Sequence, residues 1–328
     1  MNQESQIWFI IVNPGAGSGK TISGWPEAER ALRDLAVPYK AVFTSHKGHA
    51  KELTQTAAEA GYRRFVAVGG DGSIHEVTGG IMSYCDESGT DVSEFSFAVI
   101  PIGSGNDWIR TAGIPNDPRK AVELIAAGHF EKSDVVRVET TGGVSYMANV
   151  GGTGFDSRVC DRVNHLKERG RRSRFLYARA LMRVVLGFRA LEAEVICDGK
   201  TVFSGSMYSL AIGNGRYSGG GMIQVPGARM DDGTIDVTVV PVIPFSEILR
   251  DAPKLKNGRI ADSKSLQFFR CKELEVRQLS ADAAHSPELV EVDGEIEGAL
   301  PMRVSVSGGQ INVIANYQQH GIQESERG

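Results

Sequence analysis

The residues best suited to chemistry begin at Gly69-Gly70-Asp71-Gly72, inside the stretch FVAVGGDGSIHEVTGGI (65–81). Four apolar or small residues, Phe65 to Val68, precede the glycines and read as a short buried strand. Ile74, Val77 and Ile81 follow at three- and four-residue spacing, which suits one face of a helix. The glycines therefore fall where a strand turns into a helix. There the first backbone N–H groups lack internal partners and the helix dipole favours an anion. Without a Cβ, glycine also lets the backbone close on a ligand. A plain structural turn is the alternative for any one such loop, but this one has two companions. Ile7–Val12 (IWFIIV) ends in Asn13-Pro14-Gly15-Ala16-Gly17-Ser18-Gly19-Lys20-Thr21, and Phe95–Ile100 ends in Pro101-Ile102-Gly103-Ser104-Gly105-Asn106-Asp107. The first is not a P-loop of the form G-x-x-x-x-G-K-[ST], because Pro14 occupies the place of its first glycine. Together the three loops point to phosphate or nucleotide binding.

The elements that must hold these loops alternate. Apolar runs at 7–12, 39–43, 65–68 and 95–100 read as strands, and 27–35 and 50–60 as helices. Such alternation predicts a parallel sheet with its ligand loops at the carboxyl ends of the strands. From Asp134 onward most signals are strands: 135–138, 144–150, 194–196, 207–212, 235–240, 274–276, 289–292, 302–306 and 311–314. The expected organisation is an α/β nucleotide domain over residues 1–130, then a β-sandwich over 131–317 and a tail over 318–328. A return of the chain near the C-terminus to the first domain is left open.

Composition narrows the classes. The 328 residues are 41% apolar with a net charge of −4, which argues against general nucleic-acid binding. Cys85, Cys160, Cys197 and Cys271 are far apart without metal-ligand spacing, as expected of free thiols in a reducing compartment. The opening MNQESQIWFIIV lacks a basic leader, and no run approaches the roughly 20 apolar residues of a spanning helix. A cytoplasmic protein is expected. Residues 158–189 stand apart, with ten Lys or Arg against two acids and apolar residues interleaved. That segment carries +8, so the remaining chain carries −12. It reads as a helix lying on an anionic membrane surface, as a core helix with a basic rim, or less readily as a nucleic-acid surface.

The motifs taken in order resemble the diacylglycerol kinase catalytic-domain family, which includes bacterial lipid kinases and sphingosine and ceramide kinases. The matching stretches are NPGAGSGK (13–20), Thr44 with Gly48-His49-Ala50, GGDGSIHEV (69–77), PIGSGND (101–107), NVGGTGFDS (149–157), PGARMDDGTIDV (226–237) and VDGE (292–295). The resemblance implies an NAD-kinase-like α/β domain followed by a β-sandwich, with the active site between them. It implies ATP contacts at Asn13, Pro14, Gly15, Ala16, Gly17, Thr44, Gly69, Gly70, Asp71, Gly72, Ser73, Ile74, His75 and Ser104. Asp71 would lie near the phosphates and help hold catalytic Mg²⁺, with Asp107 a candidate for the same network. Phosphoryl transfer to an alcohol also needs a carboxylate that accepts the hydroxyl proton, which the family places in the DGE motif. Glu295 is favoured and Asp293 is its close partner or rival; on strand alternation the two would face the same way, although a DG pair is equally the signature of a hairpin turn. Asp232 with the backbone carbonyls of Arg229 and Thr234 resembles a structural Mg²⁺ site, against the alternative of an exposed turn. Asp156 would lie near the lipid entrance.

His75 and Ser73 stand where bacterial members more often have Asn and Thr. The reading is an ATP- and Mg²⁺-dependent lipid kinase acting on a diacylglycerol or a sphingoid base or ceramide at a membrane surface, as a monomer or homodimer. A soluble NAD-kinase-like enzyme and a silent nucleotide- or lipid-binding regulator are the alternatives.

Overall fold

The computed structural model describes residues 3–103, 105–168, 190–279 and 286–317. Two compact units divide the chain. Unit 1 takes in the chain up to Val135, the short stretch Gly219–Gly221, and the chain from Ser307 onward; unit 2 is the rest.

Unit 1 begins with β1 (Trp8–Val12), α1 (Lys20–Asp34), β2 (Tyr39–Phe43), α2 (His49–Glu59), β3 (Arg64–Gly69), α3 (Asp71–Ser88) and β4 (Ser96–Pro101). It continues with α4 (Trp108–Ala112), α5 (Pro118–Ala127) and β5 (Phe130–Ser133). β2, β1, β3 and β4 lie side by side, all parallel. The runs of β1, β3 and β4 become strands buried on both faces, as the inner strands of a parallel sheet are. β2, at the sheet edge, is only partly covered and leaves Phe43 exposed. Ile10, Val12, Val66, Val68 and Ile100 share one core with Leu32 of α1 and Ile125 of α5. Phe9 points the other way, against Tyr62 and Phe65. α1 starts seven residues before the expected Glu27, directly after Gly19 (φ 89°) turns the chain, and tolerates Pro26 in its interior.

Unit 2 is built from antiparallel strands: β6 (Val136–Thr140), β7 (Gly143–Met147), β8 (Val150–Gly154), β9 (Leu191–Cys197), β10 (Lys200–Gly213), β11 (Tyr217–Ser218), β12 (Met222–Ile223) and β13 (Ile235–Pro241). β14 (Gln267–Cys271), β15 (Glu273–Gln278), β16 (Leu289–Val292), β17 (Glu295–Ala299) and β18 (Met302–Val306) complete it. The main path runs β17-β16-β8-β10-β9-β15-β18-β6-β7, with β13 joined to β10 and β14 to β13. The result is the expected β-sandwich, around a core including Met147, Val195, Leu210, Ile212, Val237, Val290 and Met302. Helix α6 (Phe155–Glu168) follows β8 and packs on β16 and β17.

Two expectations need correction. The run 144–150 is two strands, because Ala148 and Asn149 turn their N–H groups to the Asp293 carboxylate instead of to a neighbouring strand. The last strand, β19 (Ile311–Ile314), is no part of the sandwich: it pairs with β4 in parallel and with β5 antiparallel in unit 1. Its pattern of alternating apolar residues suits either sheet. A strand's sequence does not say which partner it joins.

Candidate active site

In unit 1 the three glycine loops meet at the carboxyl ends of β1, β3 and β4. Their closeness shows in what a Cβ would strike. On Gly69 it would lie 3.4 Å from the Ala16 Cβ, on Gly17 3.1 Å from the Ile102 carbonyl oxygen, and on Gly103 2.6 Å from the Gly70 Cα. Side chains lock the loops together. Asn13 accepts from the N–H of Gly15 at 3.0 Å and donates to Ser73 Oγ at 3.2 Å. Thr44 lies at the end of β2, its N–H bonded to the Val12 carbonyl at 2.9 Å. Asn13, Pro14, Gly15, Ala16, Gly17, Gly69, Gly70, Asp71, Gly72, Ser73 and His75 thus border the meeting of the first two loops or open α3. Ile74 differs: its side chain is 2% exposed in the core, which leaves only its backbone for a ligand. Ser104 lies outside the described residues.

Asp71 is the first residue of α3. Its Oδ1 accepts from the N–H groups of Asp107 (2.9 Å) and Trp108 (3.0 Å), so it caps the start of α4 as well. Its Oδ2 lies 2.9 Å from where a Gly105 Cβ would sit, and Asp107 Oδ2 lies 3.6 Å from the same point. Two hard oxygen donors on separate elements therefore border one small space, a set that fits Mg²⁺ holding several waters. Asp107 has other duties too. It accepts from Gly220 N–H at 2.7 Å and pairs with Arg110 at 3.5 Å, tying Gly219–Gly221 into unit 1. Nothing local in the sequence marks that tie.

In unit 2, Asp293-Gly294 is the two-residue turn of a hairpin closed by the Val292–Glu295 pair. Both central residues have positive φ (52° and 89°), as a type I′ turn requires, so the hairpin reading of DG is correct. Strand alternation does not apply to the pair, because only Glu295 is in a strand. The Asp293 carboxylate accepts from Ala148 N–H (2.9 Å) and Asn149 N–H (2.8 Å), one on each oxygen. Gly294 donates its N–H to Glu291 Oε1 at 2.6 Å, and its carbonyl accepts from Cys160 Sγ (2.9 Å) and Asn164 Nδ2 (3.0 Å) on α6. Sequence reasoning missed Cys160 and Asn164; their four-residue spacing, which puts them on one helix face, is the only signal that could have found them.

Asp156, at the start of α6, accepts from Ser209 Oγ at 2.5 Å. Burial pushes its carboxyl above the usual carboxylate range, against the opposing bonds from Ser209 and Gln224. Asp232 sits in the turn before β13. Its Oδ1 accepts from Thr234 N–H (3.1 Å) and Thr234 Oγ1 (2.6 Å), and Arg270 approaches its Oδ2 at 3.5 Å. Only Oδ2 and the carbonyls of Arg229 and Thr234 could then serve a cation, and Arg270 shares Oδ2. Of the basic segment, Arg158 makes a bidentate pair with the buried Glu288 at 2.7 and 2.6 Å. It is therefore not part of a free basic face. Residues 169–189 lie outside the described residues. No helix among the described residues is long and apolar enough to cross a membrane.

Residues 7–138 match the diacylglycerol kinase catalytic domain, and residues 149–315 match the YegS C-terminal NAD kinase beta sandwich-like domain. A diacylglycerol kinase of Mycobacterium tuberculosis (strain ATCC 25618 / H37Rv) is 26% identical over 306 residues, 93% of each chain. A probable YegS-like lipid kinase of Xanthomonas campestris pv. campestris (strain 8004) is 29% identical over 314 residues, 93% of this chain and 95% of that protein. A crystal structure of a diacylglycerol kinase from Bacillus anthracis str. Sterne shares the fold, with a TM-score of 0.68 at 20% identity over 96% of this chain and 98% of that one.

Proposed function

The chain belongs to the diacylglycerol kinase catalytic-domain family of lipid kinases, and from that membership we propose that it transfers the γ-phosphate of ATP to the primary hydroxyl of a lipid such as diacylglycerol, a sphingoid base or ceramide. The observation that carries this reading is the meeting of three glycine loops around Asp71 at the N-terminus of α3. The backbone N–H groups that open a helix suit phosphate oxygens, and the helix dipole adds to the attraction.

Mg²⁺, where bound, would neutralise charge on the transferring phosphoryl group. Asp71 and Asp107 are the residues that would hold it. In unit 2, Glu295 is the candidate proton acceptor. As the lipid oxygen bonds to phosphorus, the hydroxyl proton passes to the Glu295 carboxylate, and the bond between phosphorus and the departing nucleoside diphosphate breaks. Asp293 serves this step by holding the turn, since each of its oxygens already accepts a backbone N–H. Asp156 would orient the acceptor alcohol. Arg229, Asp232 and Thr234 remain the candidate second Mg²⁺ set, and a bilayer surface the candidate partner.

The match of residues 149–315 to an NAD kinase beta sandwich-like domain favours one rival, a soluble kinase of that type. Labelled ATP offered with diacylglycerol, sphingoid base and ceramide in mixed micelles, and with NAD, separates them. Label in a lipid supports the proposal; label in NAD alone overturns it.

A further inference from the structure

Glu295 follows a turn that is held from three separate parts of unit 2. Glu291, on β16, takes the Gly294 N–H at 2.6 Å. Asp293 is clamped to Ala148 and Asn149, between β7 and β8. The third hold is the least expected. Cys160 and Asn164, one helical turn apart on α6, both donate to the Gly294 carbonyl, at 2.9 and 3.0 Å. A carbonyl oxygen has two lone pairs and can accept both.

A hairpin turn of this type closes without such help, because positive φ at both central residues already matches the twist of its strands. The bonds to Gly294 are also exposed to solvent, where water could replace them at little cost to stability. Their consequence is therefore positional. The Gly294 carbonyl carbon is bonded to the Glu295 nitrogen, so fixing that peptide plane fixes where the Glu295 side chain starts. We infer that Asn164 and Cys160 are positioning residues, which set the Gly294–Glu295 peptide so that Glu295 meets the acceptor hydroxyl. The inference rests on the kinase reading for its catalytic consequence, but not for the geometry. Proton acceptance tolerates little displacement, and a shift near 1 Å costs about 100-fold in rate.

The test is the double variant Cys160→Ala/Asn164→Ala in the full chain, beside Cys160→Ser/Asn164→Ala, which keeps one donor. The expected result is a kcat for lipid phosphorylation lowered by about 10- to 100-fold, with the KM for ATP and the melting temperature unchanged. Serine at 160 should recover part of the loss. A double variant whose kcat stays within about twofold overturns the inference, as does a loss matched by an equal rise in KM and a fallen melting temperature. Hydrogen exchange at the amides of residues 294–297 reads the geometry without turnover. Exchange should quicken there in the double variant and stay the same in unit 1. If the wild-type protein phosphorylates no lipid, the kinase reading fails alone, and unchanged exchange at those amides is then the result that overturns the positioning.

Discussion

Asp293 and Glu295 are two residues apart, yet their surroundings differ: Asp293 lies in the turn and Glu295 opens β17. Each Asp293 oxygen already accepts a backbone N–H, so this carboxylate is engaged in holding the turn. The DGE motif was legible as a pair of candidates; that Asp293 binds the backbone at Ala148 and Asn149, more than 140 residues away, was not. Asp71 is likewise double-duty. Asp71→Asn keeps an oxygen for the Asp107 and Trp108 N–H groups but removes the charge. Its melting temperature should stay near wild type while phosphoryl transfer is lost. Asp71→Ala should in addition cost about 1–3 kcal/mol in denaturant unfolding, for the N–H groups left unpaired. Asp156 gives a pH signature. Its folded pKa is raised by burial, so its contribution is most favourable below the unfolded value of about 3.9 and is lost as pH rises through the folded value. Asp156→Asn should therefore be more stable than wild type at pH 8, and the gain should vanish as pH falls below about 4. A gain independent of pH would mean that the carboxyl is not the cause.

Among the elements, α3 contains glycines of two kinds. A Cβ on Gly80 would sit 2.6 Å from the Thr54 Cβ and 2.8 Å from the Lys51 carbonyl, where α2 and α3 touch. On Gly72 it would meet no atom within 4 Å. Gly80→Ala should destabilise by about 1–3 kcal/mol through overpacking. Gly72→Ala should raise stability by about 0.5–1 kcal/mol, as alanine does in a helix. If the open space beside Gly72 takes phosphate, the same change should weaken ATP binding at least about tenfold by calorimetry, since a methyl excludes backbone approach. Unchanged affinity would move the nucleotide elsewhere. The strands and helices of unit 1 were legible because each pairs an apolar run with a glycine break. The division of 144–150 was not, since the residues that interrupt the strand, Ala148 and Asn149, are ordinary in pattern and are drawn out of line by a distant carboxylate.

For the molecule as a whole, the order of motifs along the chain was enough to read an α/β unit followed by a sandwich. The return of the chain near the C-terminus was open in the sequence, but β19 could not be assigned to it, and the membership of Gly219–Gly221 in unit 1 was not legible, because each depends on a partner distant in the chain. The stability of the whole bears on the second cation set. Asp232→Ala should lower the melting temperature more in Mg²⁺ than in chelator if Arg229, Asp232 and Thr234 hold a cation. An equal fall in both would leave only the bonds to Thr234 and Arg270. The most direct measurement is transfer of γ-labelled phosphate to lipid in mixed micelles by the wild-type protein and by Glu295→Gln, with ATP binding measured on both. The expected result is labelled lipid from the wild type, none from the variant, and the same ATP affinity in the two. Labelled lipid from Glu295→Gln at the wild-type rate would contradict the role of Glu295 as proton acceptor, and with it the mechanism proposed for this chain.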